Sequence, residues 1–266
     1  MLTVEKRFME KRIKEKGGTG MEEKIKILQE WIEASEQLVF FGGAGVSTES
    51  GVPDFRSKDG LYNRRDVRFE QVSPEYLLSH DCLIRQPALF FEFYRQKMDA
   101  RRIQPNAAHL ALAKLEARGK LQAVVTQNID GLHQKAGSKK VYEIHGTTRR
   151  NYCMRCGKAY PQDFLFDSPE PIPHCTCGGI VRCDVTLYGE SLPEEAVQKA
   201  TEAIRRADML IIGGTSLSVY PAASYVRLFS GKHLVIINQE HLPYPLDPQN
   251  DLEINAPIGQ VLSQLS

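Results

Sequence analysis

No stretch of this 266-residue chain approaches the roughly 20 apolar residues in a row that a membrane helix needs. A transmembrane helix is therefore not expected, and neither is a membrane partner. Excess charge is missing too: 34 Lys and Arg face 33 Asp and Glu, which leaves +1. No global field draws the chain to nucleic acid or to a lipid surface. The pairs Arg149-Arg150 and Arg205-Arg206 are too sparse for a nucleic-acid footprint. Residues 1–20 are rich in Lys, Arg and Glu and lack the apolar centre of a signal peptide. They read as an extension outside the fold, and the chain reads as cytoplasmic. Internal repeats and low-complexity tracts are absent. So is the G-x-G-x-x-G fingerprint of ordinary dinucleotide-binding dehydrogenases.

What is present is an alternation of apolar runs and helical patterns. Met21 to Gln37 has apolar residues at mostly helical spacing, and the run Leu38-Val39-Phe40-Phe41 follows. Ser73-Pro74 predicts a helix start and Pro87 to Met98 an aromatic-faced helix. Asn106 to Arg118 reads as a helix stopped by Gly119, and Pro193 to Ala207 as another. Leu121 to Val125, Val141 to Ile144, Met209 to Ile212 and Leu234 to Ile237 read as buried strands. Alternating strands and helices predict an α/β fold on a parallel sheet, with ligands beyond the carboxyl ends of the strands. Residues 149–187 break the pattern with cysteines, prolines and glycines.

Two glycine-rich loops stand at strand ends. Gly42-Gly43-Ala44-Gly45-Val46-Ser47-Thr48 follows the first strand, and Gly213-Gly214-Thr215-Ser216 follows a later one. Gly43 and Gly45 would let backbone approach a pyrophosphate, with Thr48 and Arg56 as further donors. Thr48 occupies the third glycine position, and Asp54-Phe55-Arg56 is foreign to dehydrogenases. A nucleotide held for chemistry other than hydride transfer is the implication. Asn238, after another strand, suits a ribose hydroxyl or a turn cap.

Asn128 and Asp130 follow one strand, and His145-Gly146 follows another. They offer an amide, a carboxylate and a base that titrates near neutrality. His80, His133, His174, His233 and His241 read as structural or surface residues, and His109 as starting or packing a helix. Five of six cysteines crowd into 31 positions, 153 to 183. Cys153-x-x-Cys156 and Cys175-x-Cys177 make a four-thiolate structural Zn²⁺ site, with Cys183 a competitor for Cys177. Cys82 reads as a small buried hydrophobe.

Together these motifs resemble the sirtuin (Sir2) family of NAD-dependent protein-lysine deacylases. Six pieces occur in the family's order: the loop running to Gly51-Val52-Pro53-Asp54-Phe55-Arg56, Thr126 to His133, His145-Gly146, the cysteine pairs with Tyr188-Gly189-Glu190, Gly214 to Leu217, and Ile237-Asn238. The resemblance implies a Rossmann-like domain over 21–58, 106–147 and 188–266. It implies a smaller domain built from a helical insertion, 59–105, and a zinc module, 148–187. It assigns Gly43, Ala44, Gly45, Thr48, Gln127, Gly214, Thr215, Ser216, Asn238 and Leu252 to NAD, with Phe55 and Arg56 covering its reacting end. Ile129 and Asp130 would hold the carboxamide, Asn128 would position ribose and water, and His145 would be the general base. Thr186, Tyr188, Gly189 and Glu190 would meet the acyl-lysine peptide.

The implied reaction consumes NAD. The acyl oxygen attacks the nicotinamide ribose, nicotinamide leaves, and lysine and O-acyl-ADP-ribose result. Three departures from the family stand out: Gly42 for Thr, Thr186 for Val, and Cys183 for Pro. The last favours Cys177 as the fourth ligand. Tyr94 and Lys97 sit at the spacing of a Tyr-x-x-Arg pair that reads acidic acyl groups in some members, but acetyl and other short neutral acyls are expected here. The competing readings are an ADP-ribosyltransferase on the same scaffold, an NAD-dependent oxidoreductase, and a zinc-bearing binding module. An oxidoreductase needs an acidic residue about 20 positions past the loop at a strand end, and residues 61–68 read as no strand.

Overall fold

The structure, a computed structural model, describes residues 20–54, 69 and 72–265. Phe55, Arg56 and nearly all of the proposed N-terminal extension lie outside the described residues. Helix α1 (Met21–Ala34) precedes strand β1 (Leu38–Gly42) and a helical turn, α2 (Gly45–Thr48). Helices α3 (Pro74–Leu77), α4 (His80–Arg85) and α5 (Pro87–Lys97) come next. Helix α6 (Ala107–Ala117), β2 (Leu121–Thr126), α7 (Leu132–Lys135) and β3 (Val141–Glu143) follow. The chain leaves this unit through β4 (Gly146–Cys153), β5 (Ala159–Pro161), α8 (Asp163–Phe166) and β6 (Val181–Val185). It returns through α9 (Glu194–Arg206), β7 (Met209–Gly213), β8 (His233–Asn238), β9 (Asp251–Asn255) and α10 (Ile258–Leu262).

Six strands form one parallel sheet in the order β3-β2-β1-β7-β8-β9. Counted along the chain, that is the 3-2-1-4-5-6 order of a Rossmann sheet. Strands β1 and β7 are buried at every position, as their unbroken apolar runs require of strands covered on both faces. On one face Ile25, Leu28 and Ile32 of α1, Leu112 of α6 and Leu262 of α10 pack against Phe40, Ile211 and Val235. On the other, Ala200 and Ile204 of α9 meet Val39, Phe41 and Ile212. Strand β9 has no counterpart in the sequence reading, because Asp251-Leu252-Glu253-Ile254-Asn255 alternates instead of running apolar. It is an edge strand paired only with β8, so polar positions are tolerated.

The helix signals act as expected. Ser73 Oγ accepts the Tyr76 N–H at 3.2 Å with Pro74 at the first helical position. Asn106 Oδ1 caps α6 through the Ala108 N–H at 2.9 Å. Beyond the large sheet, β5-β4-β6 form an antiparallel sheet. It shares one core with α3–α5: Leu77, Leu83, Phe90, Phe91 and Tyr94 pack with Leu165, Val181 and Cys183. Arg101 adds a polar tie between the chain after α5 and the cysteine-bearing unit, through Asp99, Asp163 and Asp167.

Candidate active site

The strand order reverses between β1 and β7, so the crevice at their carboxyl ends is where a ligand is accommodated. Both glycine loops end there, and they touch. The Gly45 N–H donates to the Gly214 carbonyl at 2.8 Å, and the Gly43 N–H to the Gly213 carbonyl at 3.3 Å. A Cβ on Gly45 would lie 2.8 Å from Gly214 Cα. Gly214 has φ +58°, and a Cβ there would lie 2.5 Å from the Val46 nitrogen. The Gly43 and Gly45 N–H groups are spent on loop-to-loop contact rather than offered to phosphate, and close backbone approach is what demands glycine. Thr48 likewise turns its hydroxyl to the Gly45 carbonyl, at 3.0 Å. Gln127, after β2, reaches across to Thr215 Oγ1 at 3.0 Å.

Below the loops lies a cleft of about 1330 Å³, lined by Ala44, Gln127, Asn128, Asp130, His145 and Ser216 among others. That volume exceeds the roughly 300–1,000 Å³ of an ordinary ligand pocket, so it has room for two reactants. Gly43, Gly45, Thr48, Ile129, Gly214, Thr215 and Asn238 also face it, as do Thr186, Tyr188, Gly189 and Glu190. Leu252 does not: it packs inside the core beside the large sheet, 9% exposed. The cleft wall at that end is Ala256 and Ile258.

Ser47 joins the polar residues into a network. Its hydroxyl donates to Asp130 Oδ2 at 2.7 Å and accepts from Asn128 Nδ2 at 3.0 Å. His109 Nε2 lies 3.4 Å away. Its Nδ1 lies 3.3 Å from the Asn106 nitrogen and 3.1 Å from Asn106 Oδ1, against the cap of α6. Burial pushes the Asp130 carboxyl up from the ordinary range, while the Leu132 N–H, at 2.9 Å, and the Ser47 hydroxyl pull the other way. Sequence spacing could not single out Ser47, because its partners arrive from the loop after β2 and from α6.

His145 follows β3, with Nδ1 3.0 Å from the Gln127 carbonyl. A carbonyl only accepts, so Nδ1 carries the proton and Nε2 is the ring's basic nitrogen. The opposite wall is the segment after β6. Its Thr186 N–H donates to the His145 carbonyl at 2.9 Å, and Tyr188 pairs with Leu78 and with the backbone of His80. Tyr94 lines the cleft, but its hydroxyl is buried beside the Cys183 thiol, whereas Lys97 reaches the cleft from the end of α5.

Cys153, Cys156, Cys175 and Cys177 place their Sγ atoms within 4.8 Å of one another. Cys153 and Cys177 are 3.5 Å apart, and Cys156 and Cys175 are 3.7 Å apart. A tetrahedral Zn²⁺ with bonds of about 2.3 Å implies edges of roughly 3.8 Å. A Cβ on Gly179 would lie 2.8 Å from Cys153 Sγ, so the backbone is drawn tightly over the cluster. Donor type and spacing both fit a structural zinc. Cys183 and Cys82 belong instead to the apolar core.

Residues 43–221 match the Sir2 family model. The chain belongs to the Sir2 family. A protein called NAD-dependent protein deacetylase, from Cutibacterium acnes, is 52% identical over 237 residues, covering 89% of this chain and 95% of its own. A solved structure of Sir2 with a p53 peptide and NAD⁺ superposes with a TM-score of 0.76 at 36% identity, covering 91% of this chain and 96% of that one. Sir2Tm bound to a propionylated peptide superposes at 0.78 with 34% identity, covering 91% and 97%. For this sirtuin, the described residues that the resemblance assigned to NAD, catalysis and peptide line one cleft. Leu252 is the exception.

Proposed function

We propose that this sirtuin is an NAD-dependent protein-lysine deacetylase. It moves acetyl and other short neutral acyl groups from lysine to ADP-ribose and releases nicotinamide. One observation carries the reading: His145, Asn128 and Asp130 meet under two crossing glycine loops at the switch point, in a cleft wide enough for two reactants. Bound NAD would supply the ribose carbon that accepts the acyl oxygen, and the nicotinamide that leaves. The protein's part is orientation and proton removal. Asn128 and Asp130, held by Ser47, fix the reacting end of the dinucleotide. His145, with its proton on Nδ1, takes a ribose hydroxyl proton at Nε2. The segment carrying Thr186, Tyr188, Gly189 and Glu190 forms the acyl-peptide wall. Cys153, Cys156, Cys175 and Cys177 would hold one zinc away from the chemistry and stabilise their unit. Phe55 and Arg56 are assigned to the cofactor by family resemblance. A cytoplasmic site of action agrees with four thiols used as metal ligands rather than disulfides.

Incubation with NAD and a panel of acyl-lysine peptides tests this. One nicotinamide should form for each lysine unmasked, fastest with acetyl. NADH without nicotinamide would overturn it in favour of hydride transfer. Label from NAD left on protein would favour ADP-ribosyl transfer.

Ser47→Ala should lower kcat/KM for the acetylated peptide by about 10- to 100-fold. The loss of about 1–3 kcal/mol follows from stranding the Asn128 amide and withdrawing a donor from Asp130. Steady-state kinetics beside a melting curve would separate this from unfolding. An unchanged kcat/KM would mean that Ser47 does not hold the pair.

A further inference from the structure

Glu190 faces the cleft, and the family resemblance places it against substrate. Its carboxylate is nonetheless fully engaged within the protein. Oε1 accepts from Arg182 Nη1, and Oε2 from Arg182 Nη2 at 2.9 Å. Oε2 also accepts the Leu187 N–H at 2.9 Å, and His80 Nδ1 lies 2.8 Å from Oε1. Arg182 is 4% exposed. Its Nε donates to the Cys183 carbonyl at 3.0 Å and its Nη2 to the Val185 carbonyl at 2.8 Å. The chain from Cys183 to Glu190 is thus wrapped around one guanidinium. Two carbonyls and one amide of the peptide wall are turned inward, and the other face is left to the cleft.

A planar guanidinium is suited to this, because it presents five N–H donors in a rigid fork. The pair also reaches the helical insertion. His80 begins α4, its N–H donates to the Tyr188 carbonyl at 3.0 Å, and the Tyr188 N–H donates to the Leu78 carbonyl at 3.0 Å. Burial alone would push the Glu190 carboxyl up, but Arg182, the Leu187 N–H and His80 outweigh it and hold it at about 2. Across the pH range where an enzyme works, the carboxylate stays charged and the ion pair intact.

We propose that Arg182 and Glu190 are a positioning pair for the acyl-peptide: they set the course of residues 183–190 and touch no substrate atom. The proposal rests on the reading of that segment as the peptide wall. It separates two kinds of residue along the wall, those that meet the peptide and those that hold the wall for it.

The test uses the full-length protein with NAD and two acetyl-lysine peptides, one flanked by basic and one by acidic residues. E190Q and R182M should each raise KM for both peptides by about 10- to 100-fold, as misplacement of a binding surface does. KM for NAD and kcat should stay within about threefold. R182K should not rescue, because an ammonium cannot span these acceptors. The double variant R182M/E190L should be no worse than either single change, since it strands neither charge. Losses that add, or an E190Q effect that depends on peptide charge, would overturn the proposal and make Glu190 a substrate contact. An unchanged peptide KM in all the variants would overturn it too. Melting curves and NAD affinity, read on every variant, expose a change that merely unfolds. Wild-type protein that releases no nicotinamide would instead refute the assigned activity.

Discussion

His145→Ala is expected to lower kcat/KM for deacetylation by about 100- to 10,000-fold, the range that a positioned acid–base group contributes. The change removes a ring that the Gln127 carbonyl fixes in one tautomer. No neighbour can take over with the same chemistry. Asp130 has its two oxygens committed to Ser47 and the Leu132 N–H, and Asn128 has no basic atom. The half-buried His145 sits at a strand end rather than in the core, so the fold should survive, and NAD affinity should stay within severalfold.

The variant also separates the steps. Proton removal from the ribose follows departure of nicotinamide in the assigned order. Exchange of labelled nicotinamide into NAD, in the presence of acetylated peptide, should therefore fall much less than lysine release. Equal loss of both would place His145 in the first step, as an orienting group and not a base. Full retention of turnover would remove it from the mechanism.

How much of this was legible in the sequence depends on what kind of signal each part leaves. Leu38 to Phe41, Met209 to Ile212 and Leu234 to Ile237 are unbroken apolar runs, and they form the buried middle of the sheet. The edge strand Asp251–Asn255 was missed because one partner and a polar face erase that run. The antiparallel strands of the cysteine-bearing unit were missed for a related reason. There, metal-ligand spacing and glycine turns dominate over alternation. The site divides the same way. His145, Asn128 and Asp130 stand at strand ends, where an α/β fold places its ligands. Ser47 and Arg182 leave no local mark, because their meaning lies in partners from other elements. Gly45 was singled out for a phosphate, and its steric demand comes from Gly214.

Mild acid should destabilise this protein through two buried histidines. His109 and His133 are buried at 0% and 1% exposure, with ring centroids 4.7 Å apart. Neither ring nitrogen of His133 has a hydrogen-bond partner. Burial holds His109 down at about 4, and burial with His109 beside it holds His133 at about 3. Both values lie below the 6.5 of a solvated histidine, so the fold favours the neutral rings. The unfolded chain takes up protons first as pH falls. The stability is therefore fully present above pH 6.5 and is lost as pH drops towards 4 and 3. At pH 5 each histidine should cost about 2 kcal/mol, which for the pair lowers the melting temperature on the order of 10 °C. The window separates this from Glu190, whose carboxyl is depressed to about 2. Its contribution is present above the ordinary Glu value of 4.5 and is lost only below it. His133→Phe is the cleaner probe, because His109 also caps α6 and reaches Ser47. Comparing each protein with itself at pH 7 and pH 5 cancels any packing change from the new ring. The loss should shrink by about half in His133→Phe. An undiminished loss would assign the acid sensitivity to other groups.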